Sequence, residues 1–187
     1  MNGYAAAPLV FLVEVLFGAY ILIVLLRFVL QLVRADFYNP VSQFVLKVTS
    51  PLLVPMRHLI PAIGKIDSAS LILMWLLKTV ELTLVLLFKT GGVMILTAAI
   101  LSIPALIELT INLFLFSIFI LVILSWVNPG SYNPAISIIN NITDPLLRPA
   151  RRMIKPIGGL DLSPMVVMIG LMLLKMLLIP LLPSAGW

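Results

Sequence analysis

The chain has 187 residues, of which 62% are apolar and only 10% are charged, and its mean hydropathy is +1.21. Soluble domains carry about 25% charged residues, so this composition excludes a water-soluble globular protein and predicts a membrane protein. The formal net charge of +5 indicates basic loops beside an anionic membrane rather than a nucleic-acid partner, and the lack of cysteine excludes disulfides and thiolate metal sites.

The N-terminal region predicts a transmembrane helix. Residues 1–7 (MNGYAAA) contain no basic residue, and the apolar stretch after them is longer than the hydrophobic region of a secretion signal. About 18 apolar residues are enough to span the hydrocarbon layer of a bilayer. We therefore expect a first span near residues 8–33 and no cleaved signal peptide.

An internal repeat organises the rest of the chain. The two halves align without gaps at a shift of 94 positions, which places Pro51 on Pro145. The same shift matches Tyr38-Asn39-Pro40 with Tyr132-Asn133-Pro134, Arg57 with Arg151, Asp67 with Asp161, and Glu14 with Glu108. The sequence therefore predicts a duplication, with one repeat over residues 1–92 and a second over residues 93–187.

Each repeat consists of a span, a polar linker and a second span. In the first repeat the spans lie near residues 8–33 and 69–88, with the linker over 34–68. In the second repeat an apolar lead-in over 93–101 precedes a span near 102–127, a linker over 128–162 and a span near 163–183. The predicted fold is an all-α membrane protein with two parallel repeats.

The apolar stretch over residues 93–127 leaves the number of spans open. As a straight helix it would be about 52 Å long, which exceeds the thickness of a bilayer. Pro104 is expected to kink it, so it is either one kinked span or two spans, giving four or five in total. Both linkers are basic, and the positive-inside rule places short basic loops in the cytoplasm. Four spans would put both linkers there and both termini on the periplasmic side. We therefore expect four.

The linkers are predicted to contain amphipathic helices. Asn39-Pro40 and Asn133-Pro134 are typical helix starts, and the apolar residues after them recur at helical spacing. We expect a helix of about ten residues lying in the membrane plane, ending before Pro51 or Pro145, followed by another helical turn.

Basic residues follow in each linker. They predict contact with anionic lipid headgroups or with a protein partner, strongest in the second repeat. The alternative is that they only fix orientation, as basic residues beside membrane spans commonly do. The candidate contact residues are Arg57, Arg148, Arg151, Arg152 and Lys155.

Charged residues also interrupt the apolar stretches. An ionised side chain in the hydrocarbon costs a few kcal/mol, so these residues should face the bundle and pair. Glu81 and Lys175 are repeat equivalents about 18 Å deep, and we expect them to pair, with Arg27 as second partner and Lys78 as a rival one helical turn away. Glu14 and Glu108 are expected near the outer boundary. Alternatively, these charges mark an ion path.

No catalytic motif is present. There is no glycine-rich phosphate loop, HExxH or GxSxG, and the single histidine, His58, has no partners at metal-ligand or triad spacing. We therefore expect neither an enzyme nor a cofactor. The hypothesis is a scaffold that contacts lipid, a membrane protein partner or further copies of itself; the alternative is a channel or ion-transport accessory.

The repeated motifs resemble those of the YggT family of integral membrane proteins, whose relatives elsewhere are called YlmG-like. The resemblance rests on two copies of Asn-Pro, an amphipathic segment and Thr-x-Pro-Leu-Leu-x-Pro-x-Arg, and it covers nearly the whole chain. Val54 and His58 stand where the second copy has Arg148 and Arg152, so the first linker is less basic. The resemblance implies a bacterial inner-membrane protein associated with osmotic tolerance and cation uptake, or with division and membrane-complex assembly. It implies no biochemical activity.

Overall fold

The computed structural model describes residues 3–127, 133–154 and 161–183. These residues form six α-helices, which confirms the predicted all-α class. A short 3-10 turn, Ile179–Leu181, follows the last of them. The helices are α1 (Gly3–Leu32), α2 (Pro40–Leu59), α3 (Ser68–Thr90), α4 (Ile95–Val127), α5 (Pro134–Met153) and α6 (Ser163–Leu178).

Four of these helices, α1, α3, α4 and α6, are long and apolar enough to cross a membrane. Helix α4 is one continuous helix of 33 residues, so the stretch that left the number of spans open forms one span. Pro104 lies inside α4 and does not end it. In the preceding turn, the Ala99 carbonyl accepts hydrogen bonds from the Ser102 hydroxyl at 2.7 Å and from the Trp75 indole at 3.1 Å. Such donors support helix backbone near a proline in a membrane.

The membrane helices pack in the order α1, α3, α4, α6. Helix α3 packs closely against both α1 and α4, whereas α6 packs more sparsely on α4 and α5. The main buried cluster therefore lies mostly in the first repeat. It joins residues of α1, α2 and α3 with two residues of α5, among them Ile21, Leu25, Met74, Ile138 and Ile142.

The linker helices α2 and α5 have 20 residues each and run through both of their prolines. The prediction that the first helix ends before Pro51 and Pro145 is wrong. A proline inside a helix leaves backbone carbonyls without their usual N–H donor. For Pro51 that carbonyl is the one of Lys47. In the same turn the Thr49 and Ser50 hydroxyls add hydrogen bonds to the Val45 and Leu46 carbonyls at 2.7 and 2.5 Å.

The two linker helices lie at the same end of the bundle, which we call the linker end. They contact each other, and the side-chain amide of Asn39 donates to the Pro134 carbonyl at 2.8 Å. Helices α1 and α4 both run towards this end, so the repeats have the same direction. The turn between α3 and α4, where Gly91 ends α3 with a left-handed φ of 76°, lies at the opposite end.

This arrangement predicts which residues share a side of the membrane. Gln43→Cys and Asn140→Cys, on α2 and α5, should react with a membrane-impermeant maleimide from one side, and Val93→Cys from the other. The measurement is labelling of sealed vesicles before and after permeabilisation, with the cysteine-free parent chain as control. Labelling of Gln43→Cys and Asn140→Cys from opposite sides would contradict this fold.

Candidate functional site

Each linker helix begins with the same asparagine cap. The side-chain oxygens of Asn39 and Asn133 accept hydrogen bonds from the backbone N–H groups of Val41 and Ala135, both at 2.9 Å. The following proline fits the first helical position because it has no N–H to satisfy there. The predicted helix starts are therefore confirmed in both repeats.

Each linker helix ends with an arginine that bonds an aspartate before the next span. Arg57 forms an ion pair with Asp67, which also accepts a hydrogen bond from the Ser70 hydroxyl at 2.6 Å. In the second repeat, Arg151 contacts Asp161 at 2.9 Å. We call these two contacts the Arg–Asp clamps. They are repeat-equivalent, but Asp67 is 2% exposed and Asp161 is 40% exposed.

The clamps lower the pKa values of both carboxyl groups. Burial alone would raise the pKa of Asp67, but hydrogen bonds from Arg57 and Ser70, together with the Arg57 charge, hold it below its ordinary value. Burial likewise opposes the shift at Asp161, where hydrogen bonding from Ser163 and the contact with Arg151 lower the pKa. Both aspartates are therefore ionised at neutral pH.

The predicted lipid-contact arginines are mostly engaged in ion pairs within the chain. Arg57 and Arg151 belong to the clamps, and Arg148 contacts Asp144 on its own helix at 2.8 Å. Arg152 is exposed and lies at the end of α5. Lys155 lies outside the described residues. These carboxylate partners were not predicted from the sequence, although the repeat aligns Asp67 with Asp161.

Helix α2 presents both apolar and basic side chains outward. Ser42, Val45, Thr49 and Leu53 are buried against the bundle. The exposed surface carries Phe44 (58% exposed), Leu52, Leu59 (83% exposed), Lys47 and His58. Such a surface is typical of a helix at the boundary between headgroups and acyl chains.

Arg27 lies beneath α2 and binds neutral oxygens, not Glu81. It is 5% exposed, and its guanidinium donates to the Thr49 hydroxyl at 2.6 Å, the Ser50 hydroxyl at 3.3 Å and the Leu46 carbonyl at 3.4 Å. The prediction that Arg27 is a second partner of Glu81 is wrong, because Arg27 lies in the last two turns of α1, near the linker end. Its side chain ties α1 to α2 directly before Pro51.

The interior charges form two ion pairs, but not the predicted one. Glu81 contacts Lys78 at 2.6 Å, which is the rival pairing. Lys175 contacts Glu108 at 2.8 Å and Asn112 at 3.0 Å. The predicted Glu81–Lys175 pair does not form because α4 packs between α3 and α6. Glu108, for which the sequence predicted no partner, is the partner of Lys175.

A polar cavity connects the two ion pairs. It has a volume of about 190 Å³ and is lined by Gly18 and Ile21 of α1, Lys78 of α3, and Glu108 and Asn112 of α4. Lys78 and Glu108 thus belong to different ion pairs and line the same cavity. Among the residues that the structure describes, no group of three or more histidine and carboxylate side chains is arranged to hold a metal ion.

A second, apolar depression lies between α1, α4 and α6. This groove has a volume of about 490 Å³ and is lined mainly by apolar side chains, including Leu22, Leu115, Phe116, Phe119 and Met168. It lies in the second repeat, where α4 and α6 pack sparsely.

The comparisons with known proteins agree with the repeat. The family described as CCB3/YggT matches the chain twice, over residues 6–88 and 100–182, and these matches are offset by the same shift as the repeat. The chain is 49% identical to the uncharacterized protein PA0392 of Pseudomonas aeruginosa, covering 91% of this chain and 87% of that protein. It is 38% identical to the uncharacterized protein YggT of Escherichia coli K12, covering 95% and 93%. No solved structure matches the chain.

The clamps predict an acid-dependent loss of stability. A carboxyl group whose pKa is lowered by folding stabilises the protein above its unfolded pKa of about 3.9, and this stabilisation is lost as the pH falls through the lower, folded value. Asp67→Asn should reduce the free energy of unfolding by about 1–3 kcal/mol at neutral pH. Asp161→Asn should cost less than about 1 kcal/mol because its pair is more exposed.

Thermal unfolding in detergent measures the stability lost by each variant and the stability lost on acidification. It is followed between pH ~7 and pH ~3, because the pKa of an unfolded carboxyl group lies in this range. The Asp67→Asn chain should lose less stability on acidification than the parent. Equal losses in the two chains would contradict a stabilising Asp67 carboxylate.

The interior pairs predict coupling between particular residues. Glu108→Leu and Lys175→Leu should each destabilise by about 2.5–3.5 kcal/mol, because each leaves one charge unpaired in the hydrocarbon. The double substitution should recover much of this loss. A double-mutant cycle of thermal stability measures the coupling. The matched control combines Asp67→Asn with Lys175→Leu, which belong to separate ion pairs and whose losses should add; additive losses for Glu108 and Lys175 would contradict the pairing.

Proposed function

The chain belongs to the CCB3/YggT family, and on that premise we propose that it is a non-enzymatic scaffold of the bacterial inner membrane. Its paired linker helices, α2 and α5, form a platform that docks on anionic lipid headgroups and on partner proteins. The observation that carries this proposal is the packing of the two helices against each other and across one end of the bundle. A scaffold needs such a fixed surface, whereas a simple connecting loop does not.

Electrostatics support placing the platform on the cytoplasmic side. The basic residues outside the membrane helices concentrate in the two linkers, and short basic loops beside membrane spans are retained in the cytoplasm. The termini then lie on the periplasmic side. The linker residues concerned are Arg34, Lys47, Arg57, Lys65, Arg148, Arg151, Arg152 and Lys155.

The geometry favours certain residues for lipid contact. The clamp arginines are occupied by aspartates, so Arg57 and Arg151 are proposed to hold the platform together. Arg152 and Lys47 are exposed basic residues, and Phe44 and Leu52 are exposed apolar residues on the same platform. An anionic leaflet attracts each such surface cation by about 1 kcal/mol. A role in osmotic or envelope stress is consistent with a protein that senses or organises the membrane surface.

Ion transport is the second candidate, and the polar cavity beside Lys78 and Glu108 favours it. Two observations weigh against it. The charges are already paired within the chain, at 2.6 and 2.8 Å. The cavity, at about 190 Å³, also has room for only a few water molecules. We therefore place the scaffold first and regard the charge pairs as structural.

The scaffold proposal predicts selective retention of anionic lipid. In vesicles of mixed anionic and zwitterionic lipid, the protein should restrict the motion of spin-labelled anionic lipid preferentially, and high salt should weaken this selectivity. Arg152→Gln should reduce the selectivity. The matched control combines Arg148→Gln with Asp144→Asn and should reduce it less, because it removes one charge of each sign and leaves the net charge unchanged. Equal restriction of neutral and anionic lipid by the parent would contradict the proposal.

A flux measurement separates the two candidate functions. The purified protein in liposomes should show no K⁺ or Na⁺ flux above that of protein-free liposomes. Flux that Glu108→Gln abolishes, while the folded yield is retained, would instead establish the transport function. It would reassign the polar cavity to the ion path.

A further inference from the structure

The two linker helices are equivalent in the repeat, yet they are buried differently. Ile138 and Ile142 of α5 are 4% and 2% exposed. Their equivalents in α2 are Phe44, which is 58% exposed, and Val48, which is half-buried. One linker helix therefore covers its apolar face, while the other leaves the corresponding face open.

The face of α5 is covered because it packs on the other repeat. Ile138 and Ile142 join the buried cluster that contains Ile21, Leu25 and Met74 of α1 and α3. The second repeat does not receive α2 in the same way. Within the described residues, α2 packs on α1, α3 and α5 but not to a similar extent on α4. The second repeat thus packs on the first as a heterologous interface, in which two different surfaces meet.

The surface that would receive α2 is the apolar groove of the second repeat. Leu115, Phe119 and Met168 line this groove, and they are the repeat equivalents of Ile21, Leu25 and Met74. In the first repeat those three residues are at most 3% exposed, whereas Phe119 is 50% exposed. The groove is therefore the counterpart of a buried part of the first repeat, where Ile138 and Ile142 of α5 join the cluster and side chains of α4 also pack on it. Within the described part of the chain, its counterpart in the second repeat stays open.

A polar contact accompanies the packing of the linker helices. The amide of Asn39 donates to the Pro134 carbonyl at 2.8 Å and links α2 to the start of α5. Under the repeat shift, the equivalent donor is Asn133 and the equivalent acceptor is the carbonyl of Pro40. Both residues are exposed at the linker end.

We propose that a second copy of this chain covers the groove, with the Phe44–Val48 face of its α2 packed over Phe119 and Met168. The interface repeats the contact that α5 already makes inside each chain. The Asn133 amide of one copy donates to the Pro40 carbonyl of the other. Two copies related by a two-fold axis each supply one α2 and one groove, so that four repeats close into a ring without unpaired surfaces.

This proposal goes beyond the scaffold function and does not depend on it. Lipid alone could fill an apolar groove in a membrane, so exposure by itself is no argument for a partner. The chain already contains one completed copy of the same interface, and this matching pair of surfaces favours a second copy over lipid.

Cross-linking between two distinguishable copies tests the contact. A copy carrying Phe44→Cys and a differently tagged copy carrying Phe119→Cys are co-expressed, and native membranes are treated with a short bis-maleimide. We expect a product that contains both tags. The matched control replaces Phe44→Cys by Leu59→Cys, which lies on the same helix about 22 Å away along its axis and is also exposed. It should give at least fivefold less product.

Subunit counting tests the assembly independently. Single-molecule photobleaching of labelled protein in dilute liposomes should show two copies per particle. Phe44→Ser should raise the dissociation constant at least fivefold, whereas Leu59→Ser should leave it nearly unchanged. Asn133→Asp, which keeps the capping oxygen but removes the amide donor from both copies, should raise it roughly ten- to a hundredfold, the equivalent of two hydrogen bonds.

Three results would overturn the proposal. One is a monomer at all protein densities, which would assign the groove to lipid. Another is a dimer that Phe44→Ser does not weaken and that gives no product between positions 44 and 119. The third is equal cross-linking from positions 44 and 59. Because Phe44 and Leu59 are exposed, their serine variants should fold, and a monodisperse elution profile checks this.

Discussion

The ion pair between the end of a linker helix and the start of the next span, strongest at the buried Asp67, is the contact that sets the path of each repeat. Arg57 reaches Asp67, and Arg151 reaches Asp161, across the same sequence interval in both repeats. Without this contact, a proline-containing helix of 20 residues would be joined to the next span only by a short turn. With it, the end of the helix is held against the next span, and at its start α2 is also held by the Asn39 amide, which donates to the Pro134 carbonyl of α5.

Burial makes the first copy of this contact stronger than the second. Asp67 is almost fully enclosed and receives an additional hydrogen bond from Ser70, whereas Asp161 is partly exposed. Arg27, whose equivalent in the second repeat is a leucine, adds hydrogen bonds to α2 in the first repeat only. The first repeat is consequently the better packed half, and the second repeat leaves a groove between α4 and α6. Duplication produced the same chain path twice but not the same packing.

The pairing of the charged side chains in the membrane helices follows from the absence of water in the hydrocarbon layer. Each charged side chain there must find a partner within reach, and the nearest ones are on its own helix or on a directly packed neighbour. Lys78 and Glu81 lie on the same helix, α3. Lys175 and Glu108 lie on the neighbouring helices α6 and α4. These pairs account for four of the charges in the membrane helices without an ion path, and the buried Arg27 is bonded by neutral oxygens of α2. They leave the linker end as the surface on which a scaffold would meet lipid and partners.

The sequence by itself determined the class of the protein, the duplication and the helix starts. These features depend on local composition and on short motifs, such as the asparagine caps, whose physical effect does not require knowledge of the neighbours. Only the tertiary structure decided the partners. Helix α4 lies between α3 and α6, so Glu81 and Lys175 are kept apart although they share a depth and a repeat position. The prolines of α2 are accommodated inside a continuous helix that also receives hydrogen bonds from Arg27 on another helix. The repeat likewise could not reveal that Ile138 is buried and Phe44 exposed, because burial depends on which helix packs against each face.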